Sequence, residues 1–142
     1  MQALVTDLDM LKLADWLEGQ LRWPGQDRER VEALRRKVNG ARVVRSDDIP
    51  ADVVTLHSRV RVVDMDDAGD ATYTVVMDGQ ASTTAIPVMS PIGVALLGRR
   101  EGDEIGYRLD SDLRRLRIED VLYQPEAAAR PSGRERIKEG YT

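Results

Sequence analysis

The chain has 142 residues, the size of one average domain or of a small domain with an appendage. Its 25 acidic and 21 basic side chains leave a net charge of −4, which argues against binding nucleic acid mainly through phosphates. There is no Cys and no Phe, with one His, two Trp and four Tyr, so disulfides, zinc–thiolate clusters and thiol nucleophiles are excluded and an aromatic-lined pocket or a His-based metal site is disfavoured.

Met1-Gln2-Ala3-Leu4-Val5-Thr6-Asp7 has neither the basic nor the apolar stretch of a secretory leader. No apolar run approaches the ~18 residues of a membrane span, so a soluble, cytoplasmic protein with no membrane partner is expected. From residue 7 to 21 the pattern is that of an amphipathic helix, with Met10, Leu13, Ala14, Leu17 and Leu21 on one face. Thr6 or Asp7 caps its start, and Asp7 and Asp9 suit the positive end of the helix dipole. Arg22-Trp23-Pro24-Gly25 breaks the helix. A second helix is expected over 27–39, with Asp27 as cap, Val31, Leu34 and Val38 as an apolar stripe, Arg35, Arg36 and Lys37 in its last turn and Asn39-Gly40 as its stop. The two helices form an antiparallel hairpin over residues 1–40.

Residues 41–54, with Ser46-Asp47-Asp48-Ile49-Pro50, read as a linker. From Thr55 the chain reads as β structure: Val60, Val62 and Val63 lead into an acidic turn, Asp64 to Asp70, and a return strand from Thr72 to Met77. Residues 78–86 are polar and loop-like. Ser90-Pro91-Ile92-Gly93-Val94-Ala95-Leu96-Leu97-Gly98 is a short helix, capped by Ser90, with Pro91 at the first helical position and Gly98 at the stop. Two more strands, over 104–109 and 113–123, flank Asp110-Ser111-Asp112. The domain built from 55–125 is followed by a tail, 126–142, expected to be mobile. Residues 41–78 hold eight acidic and four basic side chains, so the net negative charge sits almost wholly there.

Several motifs suggest chemistry only superficially. Asp64-Met65-Asp66-Asp67-Ala68-Gly69-Asp70 has the look of a calcium loop, but Ala68 and Val75 stand where such a loop needs an oxygen ligand and a Glu. His57-Ser58 is no nucleophile pair if both lie on a strand, where neighbours point to opposite faces. Arg114, Arg115 and Arg117 read as a solvated strand face.

The Ser90-to-Gly98 helix followed by Glu101-Gly102-Asp103-Glu104-Ile105 resembles the C-terminal domain of the GreA/GreB transcript-cleavage factors. Within that superfamily the chain resembles the Rnk family, the regulators of nucleoside diphosphate kinase. Ile49-Pro50-Ala51-Asp52-Val53-Val54-Thr55, Ser58-Arg59-Val60, the Ser-Pro-Ile-Gly helix, Tyr123-Gln124-Pro125-Glu126-Ala127-Ala128 and the opening Thr6-Asp7-Leu8-Asp9 carry the likeness. The resemblance implies an α+β chain: a short, coiled-coil-like helical hairpin, then an FKBP-like antiparallel sheet with one short helix. It also implies docking on RNA polymerase at the rim of the secondary channel, with the contact around Ser90 and Pro91. Met89 and Ile92 would add an exposed apolar contact, although Met89 stands where the Gre pattern often has an acid or Asn. The other reading of Ser90 and Pro91 is that they simply start a helix.

Gre-type cleavage needs acidic side chains at the tip of a long hairpin to help hold magnesium. Here each helix has about 14 residues and reaches only ~20 Å, and the tip, Gln20-Leu21-Arg22-Trp23-Pro24-Gly25-Gln26, has no acid. At that tip Arg22 and Trp23 either meet the polymerase or, for Trp23, close the open end of the hairpin. The expectation is a non-enzymatic transcription regulator without cofactor or metal that binds no nucleic acid sequence-specifically. The alternatives are a Gre-type cleavage and elongation factor, or an FKBP-like prolyl isomerase or chaperone, the last poorly served by so few aromatic residues.

Overall fold

The computed structural model describes residues 2–22, 28–77, 82 and 84–130, and its first helix starts on the expected polar pair. α1 (Asp7–Arg22) follows a short strand, β1 (Leu4–Thr6). The buried Thr6 hydroxyl accepts the Asp9 backbone N–H at 3.0 Å, so Thr6 is the cap. Asp7 turns outward, accepting from the Ser46 hydroxyl at 2.8 Å. Leu13 and Leu17 face the core as expected, while Leu21, near the end of α1, is exposed. α2 (Arg28–Gly40) buries Val31, Leu34 and Val38, its apolar stripe. Asp27 and Trp23 lie outside the described residues.

Segment 41–54, expected as a linker, contains β2 (Arg42–Val44), which pairs in parallel with β1 from Leu4↔Arg42 to Thr6↔Val44. Ile49 and Val53 within it are fully buried. A three-residue strand is too short to display a period, which is why the sequence pattern passes over it.

Among the described residues the main sheet has the order β5-β4-β3-β7-β6, built from β3 (Arg59–Asp64), β4 (Asp70–Val76), β5 (Ala85–Pro87), β6 (Glu104–Leu109) and β7 (Asp112–Tyr123). The two expected hairpins, β3–β4 and β6–β7, are present. The sheet is mixed where an antiparallel one was expected, because β5 joins β4 in parallel, Thr74↔Ala85 to Val76↔Pro87. β5 is a three-residue edge segment, and its direction is set by the path that brings it there, not by its own residues. Along β7 the inward positions are Leu116, Ile118 and Val121. The step of three after Ile118 coincides with a register shift against β3, so a bulge there turns Glu119 and Asp120 outward together.

One core joins the helices to the sheet. Val5, Leu13 and Leu17 meet Leu34 and Val38 of α2, and the same cluster continues through Val60, Val62, Leu96, Leu97, Ile105 and Ile118. α3 (Pro91–Leu96) packs beside β6 and α2. After it Gly98 takes φ +81°, its N–H donates to Val54 O at 2.9 Å and its carbonyl accepts from Leu4 N at 3.1 Å. A Cβ there would lie 2.6 Å from that of Ala3, so only glycine lets β1 lie against this turn.

Of the tail expected over 126–142, residues 126–130 are described, and they are bonded back to the body of the protein. α4 (Pro125–Ala128) starts at the buried Gln124, whose side chain accepts from Ala127 N at 3.2 Å and donates to Pro50 O at 2.7 Å and Val53 O at 2.9 Å. Arg130 donates to Ile49 O. Local composition, Ala-rich and followed by Pro-Ser-Gly, hides this because the holding partners lie more than 70 residues earlier. Residues 131–142 lie outside the described part.

Candidate functional site

The start of α3 is built by local chemistry. Ser90 is extended (φ −69°, ψ 159°), its Oγ accepts from Gly93 N at 3.1 Å and donates to Pro87 O at 2.7 Å. Pro91 occupies the first turn, where its missing N–H costs nothing. Gly93 is pressed so closely on the preceding loop that a Cβ would come within 2.2 Å of Pro87 O. Ser90, Pro91 and Ile92 are therefore fixed on a rigid corner and remain partly exposed.

Met89 differs from expectation. It is 4% exposed and belongs to the core cluster, so it offers no exposed apolar contact. The tight return from β5 into α3 turns its side chain inward, beside Val88. Ile92 is half-buried against the same core.

Pro91 and the edge of Met89 line a groove of about 400 Å³ between α2, α3 and β6. Ala33, Val94, Ala95, Ile105 and Tyr107 supply the other apolar side chains of its lining, and Glu29, Arg30, Lys37, Arg99 and Arg108 the charged ones. Lys37 Nζ donates to Ala95 O at 3.3 Å, tying α2 to α3. Burial lowers its pKa to about 8, the neighbouring Arg99 adds repulsion, and Asp103 offsets part of this. Asp103 is itself engaged, by Arg99 Nε at 3.1 Å and Arg100 N at 2.9 Å. In sequence Lys37 is a last-turn cation of its helix, and nothing local marks it as a groove residue.

A second polar cluster joins α1 to α4. Asp9, 4% exposed, accepts the Leu56 N–H at 3.0 Å, and Thr55 Oγ1 donates to Glu126 Oε1 at 2.7 Å. Burial, with the charge of Glu126, raises the Asp9 pKa to about 6 against the opposing Leu56 hydrogen bond. Ser58 Oγ is held by Thr55 N and Thr55 Oγ1, both at 2.8 Å, while His57 sits in a turn with φ +69°. The pair is thus part of a structural turn.

The basic run on β7 and the acidic turn between β3 and β4 answer one another. Arg114 pairs with Asp64 at 2.6 Å and Arg115 with Asp66 at 3.7 Å, while Arg117 pairs with Glu119 at 3.0 Å. Asp64 also accepts from Asp66 N at 2.8 Å, which makes 64–70 a braced hairpin turn. At the far end of the helical hairpin, Arg22 is exposed and pairs with Glu18 at 3.4 Å. Arg22 and the α3 corner are separate features; the groove unites Met89 and Pro91 with residues of α2 that the sequence did not single out.

The class is thus an α+β protein in which a short helical hairpin shares one core with a small mixed sheet and presents a proline-headed corner beside a groove. Residues 49–123 match the sequence family described as "Transcription elongation factor, GreA/GreB, C-term". The chain is 36% identical over 101 residues to the regulator of nucleoside diphosphate kinase of Escherichia coli K12, a match covering 69% of this chain and 74% of that one. The transcription elongation factor GreA of Syntrophotalea carbinolica is 29% identical over 96 residues, which cover 66% of this chain and 61% of that factor. A solved prokaryotic transcription elongation factor GreA/GreB from Nitrosomonas europaea superposes with a TM-score of 0.70 at 30% identity, covering 86% of this chain and 100% of that one. The chain belongs to the GreA/GreB family, in its Rnk branch.

Proposed function

We propose that this chain is a transcription regulator that docks on RNA polymerase at the rim of the secondary channel and does not itself cleave transcripts. The observation that carries the reading is the α3 corner: on a GreA/GreB-type domain, Ser90 and Gly93 fix Pro91 at the mouth of a groove, where a partner meets it without rearrangement. In this reading the sheet with α3 is the FKBP-like docking unit and the helical hairpin points into the channel. At 16 residues, α1 spans only ~24 Å. Residues 20–26 contain no carboxylate to hold a metal ion at the polymerase centre. Met89 supports the corner from beneath, and Ser90, Pro91 and Ile92 form the contact.

Copurification with core RNA polymerase tests this, comparing the full chain with Pro91→Arg. Binding by the native chain and its loss in the variant are expected, with displacement by a cleavage factor added in excess. Absence of binding, or equal binding by Pro91→Arg, overturns the docking. Stimulated cleavage of the transcript in stalled complexes would instead assign the chain to the cleavage factors.

A further inference from the structure

We propose that the groove beside Pro91 seats an acidic segment of the polymerase, with an apolar side chain of that segment on the groove floor and carboxylates against Lys37 and Arg108. This rests on the docking reading above and names the chemistry of the surface that is met.

The groove adjoins a second depression of about 290 Å³, which shares Lys37 and Arg99 with it and adds Arg36 from α2 and Gln2 and Ala3 from the N-terminal segment. The two together are lined by five cations, Arg30, Arg36, Lys37, Arg99 and Arg108, and one carboxylate, Glu29; Arg99 is offset by its ion pair with Asp103, and the balance is still positive. In a chain of net charge −4 this is a local reversal of sign, and it complements an acidic partner. The apolar floor formed by Val94, Ile105 and Tyr107 favours a protein segment over phosphates alone, which would leave that floor uncovered.

Lys37 supplies the sharpest handle. Facing it are Arg99 and Asp103 from the loop after α3, the Ala95 carbonyl of α3, Tyr107 and Arg108 of β6 across the groove, and Gln2 from the N-terminal segment. Its own helix adds Glu29, Arg30 and Arg36. Among the described residues, the acid from another element that acts on Lys37 is Asp103, and it is taken by Arg99 and by the Arg100 N–H. With a pKa of about 8, Lys37 is partly neutral in mildly alkaline solution. A carboxylate seated beside it favours the charged form, so docking takes up a proton there.

The test measures affinity of the full chain for core RNA polymerase at pH 7 and pH 9, with Lys37→Arg, Lys37→Gln, Arg108→Glu and Pro91→Arg. Arg59→Glu, an exposed change on β3 outside both depressions, serves as control. Arg108 is exposed, so its reversal spares the fold. Arg108→Glu is expected to weaken binding about tenfold and Arg59→Glu to leave it within about twofold. The native chain loses affinity several-fold between pH 7 and pH 9, as the charged share of free Lys37 falls from about nine-tenths to about one-tenth, whereas Lys37→Arg holds its affinity across that range. Native-like binding by Arg108→Glu and Lys37→Gln, with Pro91→Arg inactive, overturns the acidic seat and leaves the docking standing. Equal pH profiles for the native chain and Lys37→Arg overturn it as well. Native-like binding by Pro91→Arg, or none by the native chain, removes both. Binding of a labelled RNA oligonucleotide without polymerase, lost in Arg108→Glu, would give the strip to nucleic acid and also overturn the proposal.

Discussion

Asp9→Asn should make the protein less sensitive to pH between about pH 4 and pH 7. Asp9 sits in the first turn of α1, 4% exposed, with its carboxylate accepting the Leu56 N–H at 3.0 Å. Burial raises its pKa from 3.8 to about 6, the nearby Glu126 adding to the shift while the Leu56 hydrogen bond opposes it. The folded chain therefore holds this proton more tightly than the unfolded chain. The stability gained from it is complete below pH 3.8 and is lost as the pH rises through about 6. About two pH units at ~1.4 kcal/mol each give about 3 kcal/mol as the full excursion. The positive end of α1 favours an ionised residue at this position, so that figure is a ceiling. Asparagine keeps an oxygen for Leu56 and never ionises. Urea unfolding of both proteins across the range, read as a difference curve, cancels every group that the substitution leaves alone. Asp9→Asn should gain ~1–3 kcal/mol over the native chain between pH 4 and pH 7.5, its offset at pH 4 reflecting only the new amide hydrogens. A difference that stays flat within about 0.5 kcal/mol would refute a raised pKa at Asp9.

Four further substitutions probe the fold around the site. Gly93→Ala drives a methyl into Pro87 O and Val88, both backbone, and should cost at least ~2 kcal/mol by urea unfolding, whereas Gly19→Ala, with nothing within 4 Å, should gain up to ~1 kcal/mol of helix propensity. Ser90→Ala removes the cap of α3 and the bond to Pro87 O, for ~1–2 kcal/mol in the same assay. Leu34→Ala empties a fully buried position where α2 meets the common core and should cost ~2–5 kcal/mol.

What the sequence disclosed was set by the range of the interactions concerned. The α3 corner is written within four residues: Ser90 caps Gly93, Pro91 fills the first turn, and both readings need only local rules. The two helices and the two β-hairpins were equally legible, since their periods or turn residues repeat over enough positions to stand out. β1, β2 and β5 have three residues each, and their pairing partners decide that they are strands at all. The polar residues divide the same way. Asp9 and Lys37 both have the ordinary look of charges placed at the ends suited to the helix dipole, and sequence reading left them there. Each is made unusual by burial under segments far along the chain, where Asp9 meets Leu56 and Lys37 meets Ala95, 47 and 58 residues away. Burial at a helix–helix or helix–loop seam turns a stabilising surface charge into one that costs free energy to ionise. The misplacement of Met89 follows from the same cause, because a residue just before a helix cap is turned inward or outward by the turn it closes. In this fold the seam between α2 and α3 is also the wall of the groove, so the packing that sequence reading could not see is what gives the proline corner its charged surroundings.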